Sequence, residues 1–490
     1  MANYRLLFDG MLASSQTSTT PPALLAGLLM PWGRNGQTRA RVAPLGLRRI
    51  EAALLSDGFS TNDVAVVDEQ HLRHAIGPAT KIVAMTSGEP AGGGMNSTTM
   101  TGVAGGSIYP EVMFQKMLRE VQRCIAASAP SAKVVIGGPG AWQLAQDPES
   151  LLRLGISHVV TGYAEGNAAS IFRALLDDAN FPQVISGHPV TAADIPQIQG
   201  ASTMGVVEIS RGCGLGCSFC TIARIPMIHI PEATIIADAR LNVATGQTSI
   251  AVLSEDFFRY GANGMSADPQ AVISILNSLR QIDGLRLIQI DHANVSSIAQ
   301  FSDEELKTIH DLLVGETGCK YPWVNVGVET SSSELLGANG GAAKMGQCGA
   351  SGWKEFSAEQ LRRLCRVGFL PMVSLIVGLP REKEQDVRLT LDWVEGMKDE
   401  RITIFPVLYA PIDGGPGVGR ESLTNLHWCL IRASYRLNFK WLPRMYWDNQ
   451  TGAGIHVGRR IVLQTLGLGQ VVQWNALFAW HAWKARRRVL

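Results

Sequence analysis

Several absences bound the class of this chain. It has no disulfide framework: eight cysteines in 490 residues are too sparse for a stapled secreted scaffold. Cys124, Cys319, Cys348, Cys365 and Cys429 stand singly and read as buried thiols. It has no charge excess, with 43 basic against 42 acidic residues and a net charge of +1, so no nucleic-acid partner is expected. The opening Met1–Gly10 has no basic stretch leading into an apolar core, so no secretory signal is expected there, and the free thiols point to a reducing cytoplasm. No G-x-G-x-x-G opens the first helix, which disfavours a dinucleotide site. No run is a clean transmembrane helix, although 461–483 comes near.

What is present is a glycine-rich, well-packed composition. The hydrophobic set is 46%, charged residues are 17%, and there are 51 glycines. This suits an α/β enzyme, and the length requires more than one core.

Residues 1–200 alternate strand-like and helix-like runs. Strands are predicted at Arg5–Phe8, Asp63–Asp68, Lys81–Thr86, Lys133–Ile136 and from His158. Helices are predicted at Leu45–Leu55, about 110–127, near 148–154 and at Ala168–Leu176. Continuous apolar strands separated by helices indicate a parallel sheet covered on both faces. Glycine turns follow the strands at Gly88, Gly137 and Gly162, the edge where open α/β sheets bind ligands. A second series runs through Val206–Ser210, Ser249–Leu253, Leu285–Ile290, Val324–Val328, Met372–Val377 and Ile402–Leu408. Helical runs between them include Pro269–Gln281, Ser302–Leu313 and Ala358–Val367. The expected fold is therefore α/β: an N-terminal doubly wound, Rossmann-like parallel sheet with a connector over 1–200, a partial (β/α)6 barrel over 201–412, and a mostly helical C-terminal region over 413–490.

Only three cysteines cluster. Arg211-Gly212-Cys213-Gly214-Leu215-Gly216-Cys217-Ser218-Phe219-Cys220 follows the first strand of the second series. Three thiolates on one loop can hold three irons of a [4Fe–4S] cluster and leave the fourth iron without a protein ligand. Zinc is the competing reading, because Cys217 and Cys220 have zinc-knuckle spacing. A structural zinc site normally adds a second Cys or His pair, and His229 stands alone. On that reading the chain is a zinc-stabilised ligand-binding protein.

The Cys-x3-Cys-x2-Cys loop, with an aromatic residue before the last cysteine and six strand–helix units around it, resembles the radical S-adenosylmethionine superfamily. The resemblance implies that S-adenosylmethionine chelates the vacant iron. One electron then generates a 5′-deoxyadenosyl radical, which abstracts hydrogen from an unactivated C–H bond. It also implies an electron donor such as flavodoxin or ferredoxin. Further segments match. Ser254-Glu255-Asp256 ends the second strand, where the family contacts the methionine amine. Glu329 and Ser331, in Gly327-Val328-Glu329-Thr330-Ser331, correspond to the segment facing ribose and carboxylate. Gly378 and Pro380, in Gly378-Leu379-Pro380, correspond to the turn near the adenine. Tyr409-Ala410-Pro411, with the glycines after it, resembles the sixth strand end.

An N-terminal α/β domain before such a barrel resembles the cobalamin-binding subfamily. The implied cobalamin crevice is formed by Ser87, Gly88, Gly137, Gly138, Tyr163 and Glu165. His74-Ala75-Ile76-Gly77 gives half of a cobalt-ligating Asp-x-His-x-x-Gly motif, but Leu72 stands where Asp should be, so His74 reads as an ordinary helix residue. The resemblance implies methyl transfer from methylcobalamin to a substrate carbon. The alternative within it is a radical cyclase or other carbon–carbon bond-forming enzyme on a lipid or tetrapyrrole.

The last region holds Trp441, Trp447, Trp474, Trp480 and Trp483, and no Asp or Glu from residue 449 on. Arg459, Arg460, Lys484, Arg486, Arg487 and Arg488 flank 461–483. Basic flanks with tryptophans suit peripheral contact at the inner membrane face and a lipid substrate. A helical cap over the barrel, with a small-molecule substrate, is the plainer reading. Gln464, Gln470, Gln473 and Asn475 do not share one helical face, which speaks against an amphipathic helix.

Overall fold

The computed structural model describes residues 14–24, 39–178, 181–349, 352–415, 417–452 and 454–487. The strand expected at Arg5–Phe8, and Arg488, lie outside them.

The first sheet contains β1 (Ile82–Thr86), β2 (Lys133–Gly137), β3 (His158–Thr161) and β4 (Val184–Ser186), all parallel. Both faces are covered, as continuous β-branched strands require. Val134, Ile136 and Val159 pack on one side against Phe114, Leu118, Val121 and Ile125 of the helix Tyr109–Ser128. That spacing of four, three and four residues puts the helical side chains on one stripe. Val135, Val160 and Ile185 pack on the other side against Ile171 and Leu175 of the helix Ala168–Leu176.

The strand order differs from the doubly wound expectation. Among the described residues the sheet runs β1-β2-β3-β4 in chain order, with no reversal. The predicted strand Asp63–Asp68 does not form. Its segment is held by Ala40 N–H donating to Val66 O at 2.9 Å, and Asp68 caps a short turn by accepting from Gln70 N at 3.1 Å. β4 emerges from the polar, Pro-containing connector, where its three residues gave no periodic signal.

The second series has six parallel strands in chain order: β5 (Val206–Glu208), β6 (Ser249–Leu253), β7 (Leu287–Ile290), β8 (Trp323–Glu329), β9 (Leu370–Val377) and β10 (Thr403–Leu408). Two ladders, β5-β6-β7 and β8-β9-β10, meet where the chain continues past β7. His292–Ala293 there pairs with β8, and Asn325 N–H donates to Asp291 O at 2.8 Å. Alternation along the strands sorts the side chains. Val207, Ile250, Val373 and Ile404 enter the core under the covering helices. Val206, Ala251, Asn325, Gly327, Ser374 and Phe405 face a common cavity.

The exposed edge of β10 is closed from outside the sheet. Asn438 donates to Ile404 O at 2.7 Å and accepts from Ile404 N at 2.6 Å, while Thr99 Oγ1 accepts from Leu408 N at 2.6 Å. These side chains occupy backbone groups that an open edge would leave for another strand. Asn438 belongs to the long helix Asn425–Gly452, and the last helix, Val457–Arg487, packs back on it through Trp474 and Phe478 around Tyr435.

Candidate active site

The cysteine loop is shaped by its glycines. Gly212, Gly214 and Gly216 all have φ between 71° and 80°, which β-carbon-bearing residues adopt at a cost. A side chain at Gly212 would also collide with the Pro226 carbonyl oxygen. The turns bring Cys213 N–H to Ile225 O at 3.0 Å and Gly216 N–H to Ala223 O at 2.9 Å. Ser218 anchors the loop to Asn339 O through its N–H at 3.0 Å and its hydroxyl at 3.1 Å. Arg259 donates to Cys213 O at 2.8 Å.

Cys213 and Cys217 are buried, Cys220 is partly buried, and none forms a disulfide. Burial pushes all three thiols up, Cys217 to about 11, against the pull of the nearby Lys344 ammonium. All three line a cavity of about 1120 Å³. Its walls come from three places: the concave face of the six-strand series, the glycine turn after β1 with Met95, Asn96 and Trp142, and the two C-terminal helices through Tyr435, Phe439 and Trp474. His229, the histidine nearest in sequence, shares its Nε2 with Ala262 O at 3.2 Å and meets Tyr260 edge-on. It is therefore engaged away from the thiols. Among the described residues no three His, Cys, Asp or Glu side chains converge on a single-ion site.

The polar floor beside the thiols rests on a bulge. The β8–β9 register shifts between Gly327 and Glu329, and Glu329 has φ 66°, a sparsely populated conformation costing about 1–3 kcal/mol. The bulge turns Glu329 into the cavity. There it pairs with Lys344 at 2.6 Å and accepts from Ser374 Oγ at 3.1 Å. Burial opposes the charge on Lys344, but the adjacent Glu329 carboxylate raises its pKa above the ordinary lysine value. A β-carbon at Gly327 would lie 2.6 Å from Lys344 Nζ, so glycine there leaves room for the pair.

Asp291 and His292 form the next wall. His292 Nδ1 lies 3.0 Å from Asp291, which also accepts from Asn325 Nδ2 at 3.0 Å. The enclosing cavity walls oppose a charge on either group, although about half of the His292 side chain is exposed, and their pairing lowers the Asp291 pKa and raises that of His292. Burial raises the pKa of Glu255 nearby.

The expected S-adenosylmethionine residues divide. Glu255 and Glu329 line the cavity. Ser254 lies behind it, sharing a hydrogen bond of 2.6 Å with Ser210. Asp256 is buried, accepts from Asn294 N and Ser297 Oγ at 3.1 and 2.7 Å, and is pushed up to about 6 by burial. Ser331 is buried against Thr390. Gly378, at φ 81°, donates to Glu382, and Pro380 O accepts from Asn339 Nδ2 at 3.0 Å, so Pro380 braces the residue that anchors Ser218.

The expected cobalamin residues divide as well. Gly88 reaches the cavity and has open space where a side chain would stand. Ser87 accepts from Glu89 N at 3.2 Å, while Gly137 and Gly138 close the β1–β2 junction. Tyr163 lies under the Arg211 guanidinium at 4.5 Å, and Glu165 pairs with Arg211 at 2.7 Å. Both tie the first sheet to the start of the cysteine loop. His74 is exposed on the short helix Leu72–Ala75.

Sequence reasoning missed Lys344, Asp291, His292 and Trp142. Asp291 and His292 stand directly after a predicted strand, so the strand-end rule could have found them. Lys344 lies in a glycine-rich stretch with no periodic signal.

No family model matches the chain. Among curated proteins it is 26% identical over 242 residues to the ribosomal protein uS12 methylthiotransferase RimO of Pelobacter propionicus, covering 48% of this chain and 50% of the relative. To RimO of an Anaeromyxobacter species it is 27% identical over 258 residues, covering 51% and 50%. The chain spans about half the length of the curated relatives it matches. Among solved structures it resembles the radical S-adenosylmethionine methyltransferase TsrM of Kitasatospora setae, with cobalamin and a [4Fe-4S] cluster bound. The TM-score is 0.53 at 17% identity, covering 76% of this chain and 74% of that one. TsrM with tryptophan substrate and a S-adenosylmethionine analogue gives 0.52 at 16% identity over 76% and 72%. At this identity the likeness concerns the fold. Together these relatives are consistent with the superfamily that the cysteine spacing resembles.

Proposed function

We propose that this chain is a cobalamin-dependent radical S-adenosylmethionine enzyme that removes hydrogen from an unactivated carbon and places a methyl group there. The observation that carries the reading is the shared cavity: three thiols without a disulfide, two buried and one partly buried, on one wall and the glycine turn of the first parallel sheet on another. Three thiols on one loop, with no fourth cysteine lining the cavity among the described residues and with His292 there paired to Asp291, suit an iron–sulfur cluster with one open iron better than zinc. When bound, the cluster and S-adenosylmethionine supply the radical chemistry, and cobalamin supplies the methyl group.

The chain's own residues have separable tasks. Cys213, Cys217 and Cys220 hold the irons. Glu255 and the Glu329–Lys344 pair present charge to the amino and carboxylate groups of S-adenosylmethionine, while Ser254, Asp256, Ser331, Gly378 and Pro380 fix the loops behind them. Gly88 and Trp142 offer an uncharged wall to the corrin. Ser87, Gly137, Gly138, Tyr163 and Glu165 support that wall. Phe405, Tyr435, Phe439 and Trp474 exclude water from above. A one-electron donor such as flavodoxin or ferredoxin completes the reaction.

The RimO matches favour a second reading, methylthio transfer, which requires a sulfur donor. Residues 1–200 hold one cysteine, Cys124, and it packs in the core of the first sheet. Among the described residues no cysteine besides Cys213, Cys217 and Cys220 lines the cavity to serve as that donor, which favours methyl transfer. Anaerobic purification tests the proposal: about four irons and four sulfides per chain are expected, with bound cobalt, and the iron is lost in the Cys213/Cys217/Cys220→Ala triple variant. Zinc in place of iron overturns it. A product heavier by one methyl group, rather than by methylthio or by nothing, separates methyl transfer from methylthio transfer and cyclisation.

A further inference from the structure

The outward face of the last helix carries an inference independent of the cofactors. Val457–Arg487 has two different sides. Its inner side, through Gln464, Gln470 and Trp474, walls the cavity. The glutamines that broke the amphipathic pattern are used there: Gln464 donates to Pro443 O at 3.1 Å and Gln470 to Thr20 Oγ1 at 2.9 Å. The outer side exposes Ile461, Leu468, Val472, Trp480 and Trp483, with Val472 70% exposed. Positions 461, 468, 472 and 483 recur at helical spacing, and no Lys, Arg, Asp or Glu occurs between 461 and 483. The result is an uncharged stripe about 33 Å long at 1.5 Å per residue. A stripe of this size on a soluble surface marks an interaction site.

Charge decides what fits it. Both ends of the stripe are basic. Arg459 and Arg460 stand at one end, with Arg460 stacked on Trp447 at 4.8 Å. Lys484, Arg486 and Arg487 stand at the other, with Lys484 over Trp480 at 5.1 Å and Arg487 over Trp483 at 4.0 Å. A second copy meeting this face, in either direction, brings cations against cations. No helix among the described residues is long and apolar enough to cross a membrane. A surface that is apolar inside and negative at its headgroups complements all three features.

We propose that the outer face of the last helix docks on an anionic lipid bilayer and lies in its interface. Leu468, half exposed, belongs both to the stripe and to the cavity wall. Docking therefore sets the cavity beside the lipid, where an apolar substrate is concentrated.

The test uses the full chain with two kinds of vesicle: phosphatidylcholine alone, and equal parts phosphatidylcholine and phosphatidylglycerol. Co-sedimentation with the anionic vesicles is expected, weakening as salt is raised. Lys484→Gln with Arg487→Gln lowers the partition coefficient by on the order of tenfold. Val472→Glu abolishes binding while the circular dichroism melt stays unchanged, since that side chain touches little else. Equal binding to both vesicles, or none, overturns the proposal. So does a Val472-dependent dimer in sedimentation velocity without vesicle binding. Iron and cobalt content does not enter these readouts, so a failure here leaves the cofactor proposal standing, and the reverse holds.

Discussion

Replacing Arg211 with Leu probes the joint between the two sheets. Arg211 is buried, with side-chain exposure of 3%, and pairs with Glu208 and Glu165, each at 2.7 Å. Glu208 and Glu165 are buried too, so solvent screening is negligible. Among the described residues the substitution leaves the two carboxylates with Arg49 as the cation in reach, 4.0 Å from Glu208. Breaking a buried pair from one side costs about 3–5 kcal/mol, a change of about two to nearly four orders of magnitude in the population of the opened joint. Burial already raises the Glu208 pKa with Arg211 present, and without it the Glu208 carboxyl moves further up. The sign follows. The folded variant then binds protons that the unfolded chain, with carboxyls near pKa 4.3, releases. The variant's deficit should be largest near neutral pH and shrink as pH falls through the raised Glu208 pKa toward 4.3. Chemical denaturation at several pH values measures this. Adding Glu208→Gln and Glu165→Gln to Arg211→Leu should restore part of the loss. A single variant as stable as the parent at pH 7, or a deficit that grows on acidification, refutes the reasoning.

Other perturbations address the cavity. Gly340→Ala, at φ 77° with its β-carbon driven into Gly216 O, should unseat the cysteine loop and lower iron content, while Gly349→Ala, at φ 57° in open space, should leave iron unchanged. Lys344→Met leaves Glu329 buried without its cation and should lower thermal stability by about 3 kcal/mol, with weaker S-adenosylmethionine binding by calorimetry. Asp291→Asn should lower the His292 pKa, read by NMR titration of the imidazole. The pairing stabilises the fold below the ordinary histidine value and is lost as pH rises through the raised one, so the variant should differ from the parent most at acid pH. A His292 titration unmoved by Asp291→Asn would place the imidazole elsewhere.

Local signals were enough for most of the elements. Ser249–Leu253 and Ala168–Leu176 were legible to the residue because an apolar run or a 3.6-residue stripe announces itself. Asp63–Asp68 was misread because alternation alone does not provide a pairing partner. Val184–Ser186 was missed because three residues are too few for a period. At the site, the cysteines were visible by spacing. Glu255 and Glu329 were visible by position after strands, and Asp291 and His292 could have been. Lys344 could not, because its importance arises from Glu329 at 2.6 Å, fifteen residues away along the chain.

By itself the sequence determined that three thiolates share one loop, that two parallel α/β series surround it, and that the last helix is uncharged between basic ends. These are properties of spacing and composition, which need no partner to be defined. Only the tertiary structure decided the rest. It set Glu329 on a bulge against Lys344 and drew Tyr163 and Glu165 onto Arg211. It also turned Gln464 and Gln470 of the last helix inward, leaving an apolar side in solvent. Each depends on segments distant in the chain meeting with defined geometry, and that geometry is fixed by packing rather than by any local pattern.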